Sequence, residues 1–399
     1  MTERLYHTDP YCREFDAAIR RVGERDGRTL VALDRTAFYP TSGGQPFDVG
    51  TLGSRRVIDV SEDDDGTIVH VLGERQPGEA PPRAGEAVRG TIDWSRRFDH
   101  MQQHTGQHVL SAAIDRLCAV RTVGFHLGAA SSTIDLAREL SREEIALAET
   151  EANRVIWEDR RVTIRFVSAE EAAALPLRKE SAREGTLRLI EIAGFDLSAC
   201  GGTHVARTGA IGIVAIGAFE RLRGGQRVEF LCGGRALGKF RSMRDVLGGA
   251  VRLLSVLPDE VPAAIERLQT DARERQRTLA ALRQDLVRYR ADELAGSAER
   301  AGAGHLVLRA VDADANGLKA LASAIVARPG HVVVLAGVTR PALVVAARSP
   351  DGSVAANQVV AALTAKFGGR GGGKPDLAQA GGLDAGADEI LAAARALIA

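Results

Sequence analysis

No run of about 18 apolar residues occurs in this 399-residue chain, so the sequence offers no membrane-spanning helix. Its first residues, MTERLYHTDPYCREF, contain no apolar signal core. Cysteine is scarce: Cys12, Cys118, Cys200 and Cys232 are widely scattered and form no CxxC pair. That spacing argues against a disulfide framework and fits a reducing cytosol. Net charge is missing too, with 52 basic residues against 52 acidic ones. The molecule as a whole therefore announces no nucleic-acid partner, and any such binding must use local basic patches. A soluble, cytoplasmic protein with no membrane partner is the expectation.

What is present is enough for several cores. The length calls for two to four domains, and 45% apolar against 26% charged residues is a normal globular balance. Residues 1–92 read as β-rich, with TLVALDRTAFYP, TLGSRRVIDV and GTIVHVLG separated by SGGQ, SEDDDG and PGEAPPRAG. A small barrel or sandwich is the simplest arrangement. Residues 93–247 read as an α+β domain. Val109, Leu110, Ala113, Ile114 and Leu117 form one helical stripe, and Ser141 with Glu144 makes a capping box for a helix ending near Trp157. RVTIRFVS and LRLIEIAGFD read as strands, EEAAAL as a short helix, and IGIVAIGAFERLRGGQRVEFLCG as a hairpin. Residues 248–300 are helical with a heptad repeat: Val261, Ile265, Leu268, Ala272, Leu279, Leu282, Leu286 and Tyr289 fall at a and d positions, Arg275 being the misfit. Self-association through this helix, or packing on its own domain, would satisfy the stripe. Residues 301–399 alternate short apolar runs with helices, as in a compact α/β domain. The overall class is α+β multidomain.

Two short clusters carry the chemistry. His104 and His108 in HTGQH are four apart on a predicted helix, so both rings lie on one face, one turn apart. Cys200 and His204 in CGGTH follow a predicted strand, and the two glycines between them let the backbone turn. A Cys beside a His in a reducing compartment is a typical zinc donor pair, and the two clusters together predict one Zn2+ site. His100 lies on nearly the same helical face and reads as a neighbour of the site, not a ligand. Four protein donors make a closed tetrahedral site, the usual structural form, whereas catalytic zinc keeps a position for water. The sequence leaves both open.

HTGQHVLSAA with GFDLSACGGTHVARTGAIG resembles the editing domain of alanyl-tRNA synthetases and of free-standing alanyl-tRNA editing proteins. TAFYPTSGGQPFDVGTL, GFHLGAASSTIDL and RVEFLCGGRAL look like segments of the same family, and FGGRGGGKPDLAQAGG resembles the end of its C-terminal DHH-associated domain. The likeness runs in order along nearly the whole chain. It implies a trans-editing hydrolase that cleaves Ser-tRNA(Ala), with Gly-tRNA(Ala) as a second substrate, and not a ligase, since no aminoacylation core is found. It implies that Thr41, Ser42 and Gln45 of the PTSGGQ turn face the amino acid, recognising the serine side chain and placing water. His126, Gly201 and Thr203 are the expected substrate contacts.

RNA contact is expected from Arg241 and Arg244, within a basic run that also holds Arg221, Arg223, Arg227, Arg235 and Lys239. Gly368 to Lys374 fits GxxxxGK, but Pro375 replaces the Ser or Thr of a P-loop and a helical stretch precedes it, so nucleotide binding is not expected. Two rival functions remain: a zinc hydrolase indifferent to tRNA, and a non-catalytic tRNA-binding module with structural zinc. A DHH-type phosphoesterase is disfavoured because no Asp-His-His motif occurs.

Overall fold

A computed structural model describes residues 1–178, 185–301 and 304–398. The chain divides into two compact units, Met1–Ala250 and Val251–Ala399.

The first unit begins with a closed antiparallel barrel of six strands. These are β1 (Glu14–Arg25), β2 (Arg28–Leu33), β3 (Gly50–Leu52), β4 (Arg55–Glu62), β5 (Ile68–Leu72) and β6 (Ala87–Ile92), in the spatial order β1-β2-β5-β4-β3-β6. Alternation along β1 turns Phe15, Ala17 and Ile19 inward to meet Val31, Leu33, Val57, Val60 and Ile68. Closure leaves the barrel no open edge. Sequence reasoning missed β1 and β6. Their outward positions carry charge, so neither EFDAAIRRVGER nor AVRGTI presents an apolar run.

Helix α1 (Trp94–Cys118) leaves the barrel directly, its N-terminus capped by Asp93, which accepts the Arg96 N–H. Arg97, in its first turn, is fully buried. It binds the Asp48 carboxylate and donates to the carbonyl oxygens of Pro10 and Ala37. Asp48 in turn accepts the Tyr39 N–H at 2.7 Å, which closes the loop carrying the SGGQ turn. Breaking such a buried pair from one side typically costs about 3–5 kcal/mol, so the helix and this loop are fixed to each other. Val109, Leu110, Ala113 and Ile114 are buried as the stripe predicts, but Leu117 is 52% exposed. The helix closes just beyond it, where Ala119 turns left-handed.

Against α1 pack α2 (Arg142–Trp157) and two antiparallel sheets. The Ser141–Glu144 capping box of α2 forms as read from the sequence. Strands β7 (Thr122–Leu127), β8 (Ser132–Leu136), β12 (Val214–Leu222) and β13 (Gly225–Cys232) make a sheet in the order β12-β13-β8-β7. Strands β9 (Val162–Val167), β10 (Leu187–Ile192) and β11 (Asp196–Ala199) make the other, in sequence order. LRLIEIAGFD, expected as one strand, is thus a hairpin. Its turn uses Gly194 at φ +66°, a conformation L side chains avoid. This break allows β11 to present Asp196, Ser198 and then Cys200 along one face.

Helix α3 (Gly233–Leu254) begins directly after β13, well before the helical stretch expected from residue 248. Ser255 at φ +53° and Pro258 then interrupt the chain before α4 (Val261–Gly296). Along α4 the heptad residues Ile265, Leu268, Leu279, Leu282, Leu286 and Tyr289 are exposed.

The second unit contains a six-stranded mixed sheet. Its strands are β14 (Glu299–Ala301), β15 (Gly304–Val311), β16 (His331–Gly337), β17 (Ala342–Arg348), β18 (Arg370–Gly373) and β19 (Leu377–Leu383), in the order β14-β15-β16-β17-β19-β18. Helix α5 (Ala315–Val326) and the end of α4 share one core with Val307, Val333 and Val345. Helices α6 (Ala356–Phe367) and α7 (Ala387–Ile398) share the other with Leu306, Val334 and Val344. The glycine cluster is an exposed edge strand, β18, in a hairpin and not a phosphate loop.

A candidate metal centre

His104, His108, Cys200 and His204 converge. One ligand atom from each lies within 4.8 Å of the others. The Nε2 atoms of His104 and His204 are each 3.4 Å from the Cys200 sulfur. The histidines are buried, whereas Cys200 keeps a partly open side.

The outer bonds fix which way each ring is protonated. Thr203 donates its N–H to Gln45 Oε1 at 3.1 Å, and Gln45 Nε2 donates to the Thr203 hydroxyl at 2.9 Å, so the amide has one orientation. Its Oε1 then accepts the proton on His104 Nδ1 at 2.8 Å. His108 Nδ1 donates to Asp196 at 2.9 Å. The Thr105 hydroxyl gives its hydrogen to the Met101 carbonyl oxygen, so at 3.3 Å it accepts from His204 Nδ1. All three rings thereby direct an unprotonated Nε2 inward. Three lone pairs and a sulfur facing one another repel unless a cation sits among them. The arrangement fits a divalent ion with a preference for nitrogen and sulfur, each ligand oriented by a second group.

Burial resists ionisation of Cys200, but the neighbouring His104 and His204 outweigh it and hold the thiol well below its usual range. Burial likewise pushes Asp196 up, yet its bonds to His108 and Arg178 hold the carboxyl far below the ordinary carboxylate range. Burial lowers His204 to about 3, leaving it neutral.

Two glycines set the geometry. A Cβ on Gly202 would lie 2.2 Å from His104 Cε1, so the CGGTH loop can approach the ring only without a side chain. Gly44 sits at φ +85°, and a Cβ there would lie 2.7 Å from the Phe125 carbonyl oxygen. This close contact brings the SGGQ turn onto β7, where Leu127 donates its N–H to the Gly44 carbonyl oxygen.

The remaining predicted residues separate. Gln45 and Thr203 are fully buried behind the ligands; they position His104 and the CGGTH loop instead of offering free groups to a substrate or a water. Thr41 is exposed, its hydroxyl accepting the Phe47 N–H, and Ser42 is half-buried beside it. Gly201 is exposed on the open side of Cys200. Strand residues alternate faces, and Phe125 packs on His104 at 5.2 Å, so His126 points to the opposite, exposed face. Arg241 and Arg244 are exposed on α3, with Arg244 paired to Asp245, and neither bonds to the four ligands. Within the basic run, Arg221, Arg227 and Arg235 are tied to Glu139, Asp135 and Asp99.

Sequence reasoning missed Asp196, Thr105 and Phe125. Asp196 had a signal: it lies four residues before Cys200, and a period of two puts both on one strand face. Asp196→Asn should weaken metal binding about 10- to 100-fold by removing the charged acceptor of His108. Competition with a chromophoric chelator measures this, and unchanged affinity would deny Asp196 that role.

Comparison with known proteins follows the same division. Residues 187–229, which include Cys200 and His204, match the threonyl and alanyl tRNA synthetase second additional domain, and residues 302–399 match the DHHA1 domain. The alanine–tRNA ligase of Pyrococcus abyssi is 33% identical over 95% of this chain, which spans only 42% of that protein. Among solved structures, the C-Ala domain of Aquifex aeolicus alanyl-tRNA synthetase is 27% identical and aligns over 25% of this chain and 93% of its own, with a TM-score of 0.23. The alanyl-tRNA editing protein AlaX-L of Pyrococcus horikoshii is 32% identical over 98% of this chain and 97% of its own length. With that end-to-end correspondence, this chain belongs to the alanyl-tRNA editing protein family.

Proposed function

We propose that this protein hydrolyses the ester of mischarged tRNA(Ala), with serine as the preferred wrong amino acid and glycine as a second. The observation that carries this reading is the converged His104, His108, Cys200 and His204 cluster beside the SGGQ turn, in a chain that aligns along its length with an alanyl-tRNA editing protein. A pocket that activates alanine cannot exclude serine strongly, because one added group is worth only about 1–3 kcal/mol; a second, hydrolytic site supplies the missing discrimination.

Zinc is the proposed ion, held by the four clustered side chains, and when bound it supplies a fixed positive charge able to polarise an oxygen ligand. The chain's own residues do the rest. Gln45 and Asp196 hold His104 and His108 in one tautomer and one orientation. Thr41 and Ser42, at the edge of the turn, are proposed to receive the serine hydroxyl. A site that bonds a hydroxyl leaves polar groups unpaired when alanine occupies it, so correctly charged tRNA is spared. Arg241 and Arg244 are proposed to meet RNA phosphates from the exposed side of α3, and the exposed heptad stripe of α4 is proposed to pair with a second copy.

The test is deacylation of Ser-, Gly- and Ala-tRNA(Ala) by the intact protein. Release of serine at least about 100-fold faster than alanine is expected. Tight tRNA binding without release of any amino acid would instead support a non-catalytic module. Equal cleavage of small esters lacking tRNA would support a general hydrolase.

A further inference from the structure

Arg188 on β10 is a buried cation at the metal cluster with a bond left unmade. The residue is only 8% exposed. Its Nη1 donates to the Cys200 carbonyl oxygen at 2.7 Å and its Nε to the His7 carbonyl oxygen at 2.9 Å. Its Nη2 is buried and has no partner among the described residues. Among the described residues no carboxylate pairs with it; burial opposes its charge, Cys200 favours it, and the phenols of Tyr39 and Tyr6 are kept protonated by their own burial. Native interiors rarely leave a guanidinium N–H unpaired, and such an orphan points to a group the protein itself does not supply.

The charges around the cluster say what kind of group. Asp196 is cancelled by Arg178, which binds it at 2.6 Å. Arg188 meets Cys200 through the backbone carbonyl oxygen, so its positive charge stands beside the cluster with no carboxylate among the described residues to cancel it. A site of that sign, with a fork-shaped donor waiting beside Cys200, favours an anionic oxygen. We propose that Arg188 is a substrate-binding residue whose Nη2 takes an anionic oxygen of the aminoacylated terminal nucleotide, either a phosphate oxygen or the ester carbonyl oxygen as negative charge develops on it. This assignment rests on the hydrolase reading above.

Arg188→Gln and Arg188→Lys, assayed on Ser-tRNA(Ala) and on 3′-O-seryl-adenosine, test it, with metal content measured in parallel. The phosphate source predicts that KM for Ser-tRNA(Ala) rises about tenfold or more in Arg188→Gln while the phosphate-free ester is unaffected. The ester source predicts that kcat falls about tenfold or more on both substrates. Either result at undiminished metal content supports the proposal. Wild-type constants in both variants, or a loss of rate that only follows loss of metal, would overturn it. Should the variants fail to fold, a crystal of the intact protein with 3′-serylamido-adenosine 5′-phosphate decides: Nη2 should lie about 2.7–3.2 Å from a ligand oxygen, and a ligand bound elsewhere would refute the assignment. A wild-type protein that releases no amino acid would remove the hydrolase reading itself, whereas active wild type with indifferent variants would remove only Arg188.

Discussion

Replacing Cys200 with alanine is expected to lower deacylation of Ser-tRNA(Ala) by more than about 100-fold and to leave the protein folded but depleted of metal. Groups that merely orient a metal ligand typically cost about 10- to 100-fold when removed, and Cys200 is itself the donor. It is also the one anionic member of the four, and His104 and His204 each approach its sulfur to 3.4 Å. Its removal leaves three neutral imidazoles, which hold a divalent ion less tightly, and strands the Arg188 guanidinium without its compensating charge. Metal stoichiometry and deacylation rate should therefore fall together. A Cys200→Ala protein that keeps both at wild-type level would show that the thiolate is not a ligand.

The second large effect comes from one atom. Gly202→Ala should cost about 1–3 kcal/mol of stability and at least about tenfold in metal affinity. The added Cβ would stand 2.2 Å from His104 Cε1, 2.4 Å from its Nδ1 and 2.9 Å from Gln45 Oε1. None of these atoms is the free end of a flexible side chain: the ring is buried and hydrogen-bonded, and Gln45 is held by Thr203. The neighbouring Gly201 is the control. A Cβ there meets nothing within 4 Å, so Gly201→Ala should match the wild type in both unfolding and chelator competition. Equal behaviour of the two variants would mean that the CGGTH loop does not close against His104 as described.

The four donors were legible in the sequence because their spacing carries local geometry: a helical turn separates His104 from His108, and glycines fold Cys200 back toward His204. What brings the pairs together was not legible. It depends on contacts between segments far apart in the chain: the Thr105 hydroxyl accepting the Val205 N–H, His108 on Asp196, and Gln45 bridging His104 and Thr203. The same limit applies to Gln45. A polar residue in a glycine turn looks available to a substrate, and only the tertiary fold shows its amide consumed by Thr203 and His104. The face of His126 was hidden for a simpler reason: without the strand register of β7, it could not be told from that of Phe125. The hairpin of β10 and β11 was read as one strand because Ile190, Ile192 and Phe195 continue an apolar pattern across the turn at Gly194. The barrel was legible as a class, although two of its strands were hidden by charge on their outward positions.

The most direct measurement is the rate of serine release from Ser-tRNA(Ala) by the intact protein, taken before metal removal, after exhaustive chelation, and after return of zinc. Rapid release, near-complete loss on chelation, and recovery at about one equivalent of zinc per chain, held by His104, His108, Cys200 and His204, are expected. A rate untouched by metal removal, in a protein shown to contain none, would contradict that expectation.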